Sequence, residues 1–261
     1  MIHQKVEIRF EKGEAIRFIS HHDLMRAIMR AARRAKLPVR LTEGFNPRPR
    51  IVFPVALEVG IASLDEAVEI ELTQCIPIED IAARLSSSFP PGLTIKAVKE
   101  LPPQRAGQTP RRIEYRLHLR EAGIQVPQQR LQELLSQAAL PFQREREKHT
   151  QAVDLRPAII DISIDADGDL IAAVAPGPRG SARPLEILSL LLNQPVSSLK
   201  HVKMTKLKME LEAPPGLSEE ALREREVLLR KAAAQSSTTI PVTTAPTTES
   251  TSPTTAQNRE A

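Results

Sequence analysis

The chain has 261 residues, a formal net charge of +4 and 41% hydrophobic residues, but only 3% aromatic ones, with no Trp and one Tyr. One cysteine, Cys75, excludes an internal disulfide and any site built from several cysteines. No apolar run approaches the roughly 18 residues of a membrane helix, and the scarcity of rings weighs against nucleobases stacking on a ring platform.

The chain opens on "KVEIRFEKG", where Val6, Ile8 and Phe10 alternate with Glu7, Arg9 and Glu11, the period of a half-buried strand. A short apolar alternation at Ile16 and Phe18 leads to Ser20. With Asp23 three residues on, Ser20 opens a helix running to about Ala35. Its apolar stripe is Leu24, Met25, Ile28, Met29, Ala32 and Ala35; Arg26, Arg30, Arg33 and Arg34 take the other side. Strands are expected near Val39–Leu41, Ile51–Leu57 and Ala67–Thr73. A helix follows from Pro77 with Ile78, Ile81, Ala82 and Leu85 inward, and "LTIKAVK" returns as a strand.

After "ELPPQRAGQTP" the order repeats. "RIEYRLHLR" alternates with Ile113, Tyr115, Leu117 and Leu119 inward, and Leu131, Leu134, Leu135 and Ala138 mark a helix. "FQREREK" reads as an edge strand, and "AIIDISIDADGDLIAAVA" as a hairpin turning at Asp167-Gly168. Pro184 begins a helix carrying Leu185, Leu188, Leu191 and Leu192. The last strand, "HVKMTKLKMEL", changes parity after Met204, which predicts a bulge near Thr205.

Two β-α-β-β-α-β units in succession predict an α+β protein of two tandem ferredoxin-like domains, each with its own antiparallel sheet, over residues 1–102 and 111–213. A peripheral helix at 214–234 and a disordered Ser/Thr/Pro-rich tail at 235–261 should follow. The alternating N-terminus, "MIHQKVEIRF", lacks the charged and then apolar pattern of a secretion signal, so a cytoplasmic location is expected.

Charge is concentrated. Arg26 to Arg50 holds eight basic residues and one acid, a local surplus larger than that of the whole chain, and this points to a polyanionic partner. Inside that region lies "LTEGFNPRPRIVF". Pro47 and Pro49 lack N–H groups and cannot extend a ladder, Gly44 allows a turn, and the loop presents Arg48 and Arg50 in a pre-ordered geometry suited to phosphate. The competing reading is a stiff connection whose arginines are merely solvated. Arg26, Arg30, Arg33, Arg34, Arg48 and Arg50 are therefore the candidate nucleic-acid-binding residues.

His21 and His22 are the candidate catalytic residues, as general bases in RNA cleavage, although no motif completes a site around them. Asp154, Arg156 and Arg183 form a candidate intramolecular ion-pair set beside Pro184. No metal-ligand spacing and no cofactor fingerprint occurs, so no metal and no cofactor is expected.

"RFISHHDLMRAIMRAARRAKLPVRLTEGFNPRPRIVFPVALEVGIAS", with "VDLRP" and "GSARPLEIL", resembles the radical SAM-associated protein family, a domain of unknown function found alone or fused behind cobalamin-binding/radical SAM proteins. The resemblance spans about Val6 to Leu211. Its G-F-N-P-x-P loop is Gly44, Phe45, Asn46, Pro47 and Pro49 here, and its second-domain motif is Asp154, Arg156, Arg183 and Pro184. The family usually has an apolar residue where this chain has His22. The resemblance implies a radical SAM protein as partner and RNA as a candidate ligand. The chain lacks the C-x-x-x-C-x-x-C motif, so it cannot itself hold the radical SAM cluster. The expected role is a non-catalytic accessory protein that binds RNA or ribonucleoprotein. The alternatives are a metal-independent endoribonuclease using His21 or His22 and a protein-binding adaptor.

Overall fold

The computed structural model describes residues 4–102, 107–146, 149–177 and 181–212. The helix expected at 214–234 and the tail at 235–261 lie outside the described residues.

In the first half, β1 (Gln4–Lys12), β2 (Ile51–Val52), β3 (Ile61–Leu72) and β4 (Leu93–Leu101) combine with α1 (His21–Arg34) and α2 (Ile78–Ser86). In the second, β5 (Thr109–Leu117), β8 (Ile159–Ile164), β9 (Leu170–Val174) and β10 (Met204–Glu212) combine with α3 (Gln128–Ser136) and α4 (Pro184–Leu192). β1 pairs antiparallel with both β3 and β4, and β2 adds to β3. β5 pairs antiparallel with β9 and β10, and β8 adds to β9. The order fourth-first-third-second therefore occurs twice.

Two separate sheets, one per half, is the expectation that the structure corrects. The strands join in a single sheet of order β4-β1-β3-β10-β5-β9-β8, with β2 on β3. The junction is parallel and short: Met204, Thr205 and Lys206 pair with Ile61, Ala62 and Ser63. β3 is long enough to explain it. β2 occupies its outer edge at Glu69 and Ile70, leaving the N-terminal end of that edge for β10.

Paired residues share a sheet face, so the register carries one face across the junction. On it Val6, Ile8, Phe10, Val68, Ile70 and Leu72 pack with Leu24 and Ile28 of α1 and with Ile81 and Leu85 of α2. Ile61, Ile113, Leu117, Ala172, Val174 and Met204 pack with α3 and α4 in a second, contiguous core. α1 forms as the sequence requires: the Ser20 hydroxyl accepts the Asp23 N–H at 3.1 Å and donates to the Asp23 carboxylate. Gly92 has φ +88°, and a Cβ there would stand 2.9 Å from Cγ2 of Ile16, so that turn requires glycine.

β1 differs from the half-buried reading, because both of its faces are buried. Glu7 has no exposed surface, and Lys5 pairs with buried Glu69 at 2.6 Å. On the same reverse face the Arg9 guanidinium donates to Asp65 at 3.0 Å and to the Met209 carbonyl at 2.8 Å, while the Met209 N–H donates to Asp65 at 2.8 Å. These bonds tie β10 to the first half. "FQREREK" also differs: among the described residues β6 (Pro141–Arg146) pairs only with β7 (His149–Asp154), as a two-stranded arm and not as an edge of the main sheet. The bulge in β10 falls between Lys206 and Lys208, beyond Thr205, because Lys206 keeps the inward parity of Met204.

Candidate nucleic-acid interface and the buried junction

On α1 the positions 26, 30 and 33 fall four and three residues apart, the spacing of one helix face. Lys36 ends the helix in the left-handed region at φ 51°, and the Leu37 N–H returns to the Ala32 carbonyl. The chain then runs beside β3, with the Arg40 N–H bonded to the Glu71 carbonyl and the Arg50 N–H bonded to the Arg40 carbonyl. Thr42 and Arg48 close the loop: the Thr42 N–H donates to the Arg48 carbonyl at 2.8 Å, and the Arg48 N–H donates to the Thr42 hydroxyl at 2.9 Å. Gly44 turns the tip at φ +122°.

Between α1 and this segment lies a groove of about 350 Å³. Arg26, Arg30 and Arg33 stand at its rim, and Met29, Leu37, Val39, Leu41 and Ile51 make its floor, with Pro49 beside them. Arg26 is held 3.4 Å from Asp23, whereas Arg48 is exposed on the loop. Phe45 is fully exposed, and Asn46 and Pro47 are exposed beside it.

Two of the six expected arginines point elsewhere. Arg34 donates to the Ser88 carbonyl, next to Lys36 and Arg84. Arg50 lies 3.8 Å from Glu71, which also pairs with Arg40 at 3.1 Å. Arg50 is thus partly neutralised, as Arg26 is by Asp23, and the groove is basic mainly through Arg30 and Arg33, with Arg48 on the neighbouring loop.

His21 and His22 separate as adjacent helix residues must: His22 is exposed and His21 half-buried, its ring edge-on to Phe53 at 4.9 Å. What lies beneath was missed in the sequence. Lys12, Glu66 and Lys206 are all buried where the two halves meet. Lys206 and Glu66 form an ion pair across the junction, and the Lys12 ammonium donates to the Arg17 carbonyl at 2.7 Å and the Ile19 carbonyl at 3.4 Å, just before α1. Burial, with Lys206 adding like charge, holds the Lys12 amine below its ordinary range against the opposing pull of Glu66. Tyr115 is pushed above its ordinary range by burial and by Glu66 and Glu58, so its phenol stays protonated.

The signal for this cluster was parity. Lys12 follows Val6, Ile8 and Phe10 on the inward positions of β1, and Lys206 follows Met204 on β10. Glu66 faces Phe10 across the ladder.

Burial and His22 hold the His21 imidazole below its ordinary value of 6.5, against Glu66. The fold therefore favours the neutral ring. Its contribution to stability is present above that value and is lost as pH falls, because the unfolded chain takes up the proton first. Between about pH 7.5 and about pH 5.5 the urea midpoint should fall further in the parent than in a His21→Gln variant; equal falls would refute the burial argument.

The second-domain residues do not form the expected ion-pair set. Asp154 accepts the N–H groups of Leu140 at 2.7 Å and of Arg156 at 3.0 Å, and the Arg156 guanidinium donates to the Ile159 carbonyl at 3.1 Å. Asp154 and Arg156 thus shape a turn. Arg183 precedes Pro184 at the start of α4 and pairs with Glu58 of the first half at 3.3 Å. The strong pair there is Arg144 with Glu186, two bonds of 2.7 Å between nearly buried groups.

Among the described residues no helix is long and apolar enough to cross a membrane, and no group of three or more His, Cys, Asp or Glu could hold a metal. The family model described as "Uncharacterized protein conserved in bacteria (DUF2344)" matches residues 5–190. No curated protein matches the chain.

Proposed function

The chain belongs to the DUF2344 family of uncharacterized proteins conserved in bacteria, and from that premise we propose that it is a non-catalytic accessory protein that holds RNA through its phosphates. The observation that carries this reading is the groove rimmed by Arg26, Arg30 and Arg33 beside the loop that presents Arg48. Guanidinium groups match phosphate geometry, and a proline-locked loop loses little freedom on binding. The radical SAM protein as partner rests on the sequence resemblance alone. The strand order found in both halves supports reading them as two ferredoxin-like units fused at a sheet edge.

RNA affinity measured by fluorescence anisotropy over a range of salt should fall with a log–log slope of about 0.7 per phosphate contacted on a single strand. An Arg30→Ala, Arg33→Ala, Arg48→Ala variant should fold normally, bind more weakly across sequences and show a slope shallower by about 2. An unchanged slope in the folded variant would remove the groove from the site.

A second reading, metal-independent RNA cleavage, has one observation in its favour: the His21 ring is half-buried against Phe53, and burial holds the imidazole below its ordinary value. A neutral imidazole suits a general base. Cleavage of RNA by the purified protein in the presence of chelator, abolished in a His21→Gln variant, would establish this reading over the accessory one.

A further inference from the structure

Building on the phosphate-binding reading, we propose that the α1 groove takes one unpaired nucleotide of a single-stranded RNA, its base on the apolar floor and its flanking phosphates on the arginine rim. The lining divides in a way that backbone recognition alone does not require. Arg26, Arg30 and Arg33, all on α1, supply the cations, whereas Met29, Leu37, Val39, Leu41 and Ile51 supply an uncharged lining beside them. A paired duplex presents phosphate and sugar to such a rim and keeps its base faces stacked, so it would leave the floor in water. An unpaired nucleotide carries an apolar base face and an anionic backbone within one residue, the same two chemistries that the groove sets side by side.

Size agrees with this assignment. At about 350 Å³ the groove lies at the lower end of the range in which small-molecule sites fall, about 300–1,000 Å³, which is room for one nucleotide and not for several. Leu41, in the lining, is half-exposed, and the small side chain of Ala32 leaves room on the α1 side of the groove for a flat group.

The loop extends the same surface. Phe45 is fully exposed at its tip, between Gly44 in its positive-φ turn and Pro47, and Arg48 follows. An apolar ring held in water on a loop that also carries an exposed cation is a stacking face for the next base along the strand, and base–aromatic stacking of this kind changes affinity by about fivefold to a hundredfold. Thr42 and Arg48 close the loop by two hydrogen bonds, so the ring is carried on an ordered support.

The test compares a short labelled single-stranded RNA with a blunt RNA duplex of the same length, using the full chain, with poly-glutamate as a competitor that offers charge without bases. The single strand should bind at least about tenfold more tightly than the duplex. Leu41→Gln and Phe45→Ser, both at exposed positions, should leave the thermal midpoint unchanged. Each should weaken single-strand binding by about tenfold and leave duplex binding as it was. Equal affinity for the two RNAs, a single-strand preference that neither substitution reduces, or displacement by poly-glutamate as effective as by RNA would overturn the unpaired-nucleotide proposal. Equal affinity for both RNAs with a steep salt slope would leave the phosphate-binding reading standing. Binding of neither RNA would overturn both.

Discussion

Replacing Glu66 by Ala should cost about 3–5 kcal/mol of stability, the penalty for leaving a buried charge unpaired. Glu66 is the carboxylate partner of Lys206, and neither residue reaches solvent. Lys12 is buried within electrostatic reach of both, so removing Glu66 leaves two ammonium groups facing each other at the junction of β3 and β10. The other contact of Lys206, the Met209 sulfur at 4.0 Å, is too weak an acceptor to compensate. The double variant Glu66→Leu, Lys206→Met should recover most of the loss, since apolar groups of similar volume can replace a buried pair at little net cost. Urea denaturation measures both variants. A Glu66→Ala chain within about 1 kcal/mol of the parent would show that the junction does not depend on this pair.

A similar loss, about 3–5 kcal/mol, is expected for Glu186→Ala, with a different local consequence. Arg144 is nearly buried, and its guanidinium makes two bonds of 2.7 Å to Glu186 and a third of 3.0 Å to the Ser181 carbonyl. Glu186 also accepts the Arg183 N–H at 3.0 Å, capping the start of α4. The substitution therefore removes a helix cap and strands a buried cation in one step. Because Arg144 lies on β6, the β6–β7 arm should loosen from α4 and become the first site of proteolytic cleavage. Glu186→Gln retains an acceptor for the cap and should lose less. Cleavage patterns and urea midpoints identical to the parent's would count against this account.

Local rules made much of the chain legible. The alternation at Val6, Ile8 and Phe10 marked β1, Ser20 and Asp23 marked the start of α1, Pro184 marked α4, and Asp167-Gly168 fell in the turn between β8 and β9. The groove was half legible. Arg26, Arg30 and Arg33 share a face by helical spacing alone, and the prolines foretold a loop that leaves the ladder. That Arg34 would turn to the Ser88 carbonyl and Arg50 to Glu71 was not legible, because those partners lie 54 and 21 residues along the chain.

Length, aliphatic composition, basic clustering, element types and most element starts follow from the sequence, because they depend on neighbours within about one helical turn or one strand pair. Tertiary structure alone decided that the two halves share one sheet. That outcome turns on which edge remains free: β2 covers the outer edge of β3 only at Glu69 and Ile70, and β10 pairs with its start, Ile61 to Ser63. It also decided the meaning of the inward charges. Lys12, Glu66 and Lys206 each break the apolar parity of their own strand, and within any one strand that looks like an error of pattern. Only when the junction brings the three strands together does each charge find the others, because a buried charge is stabilised by a partner in space, which the sequence near it does not contain.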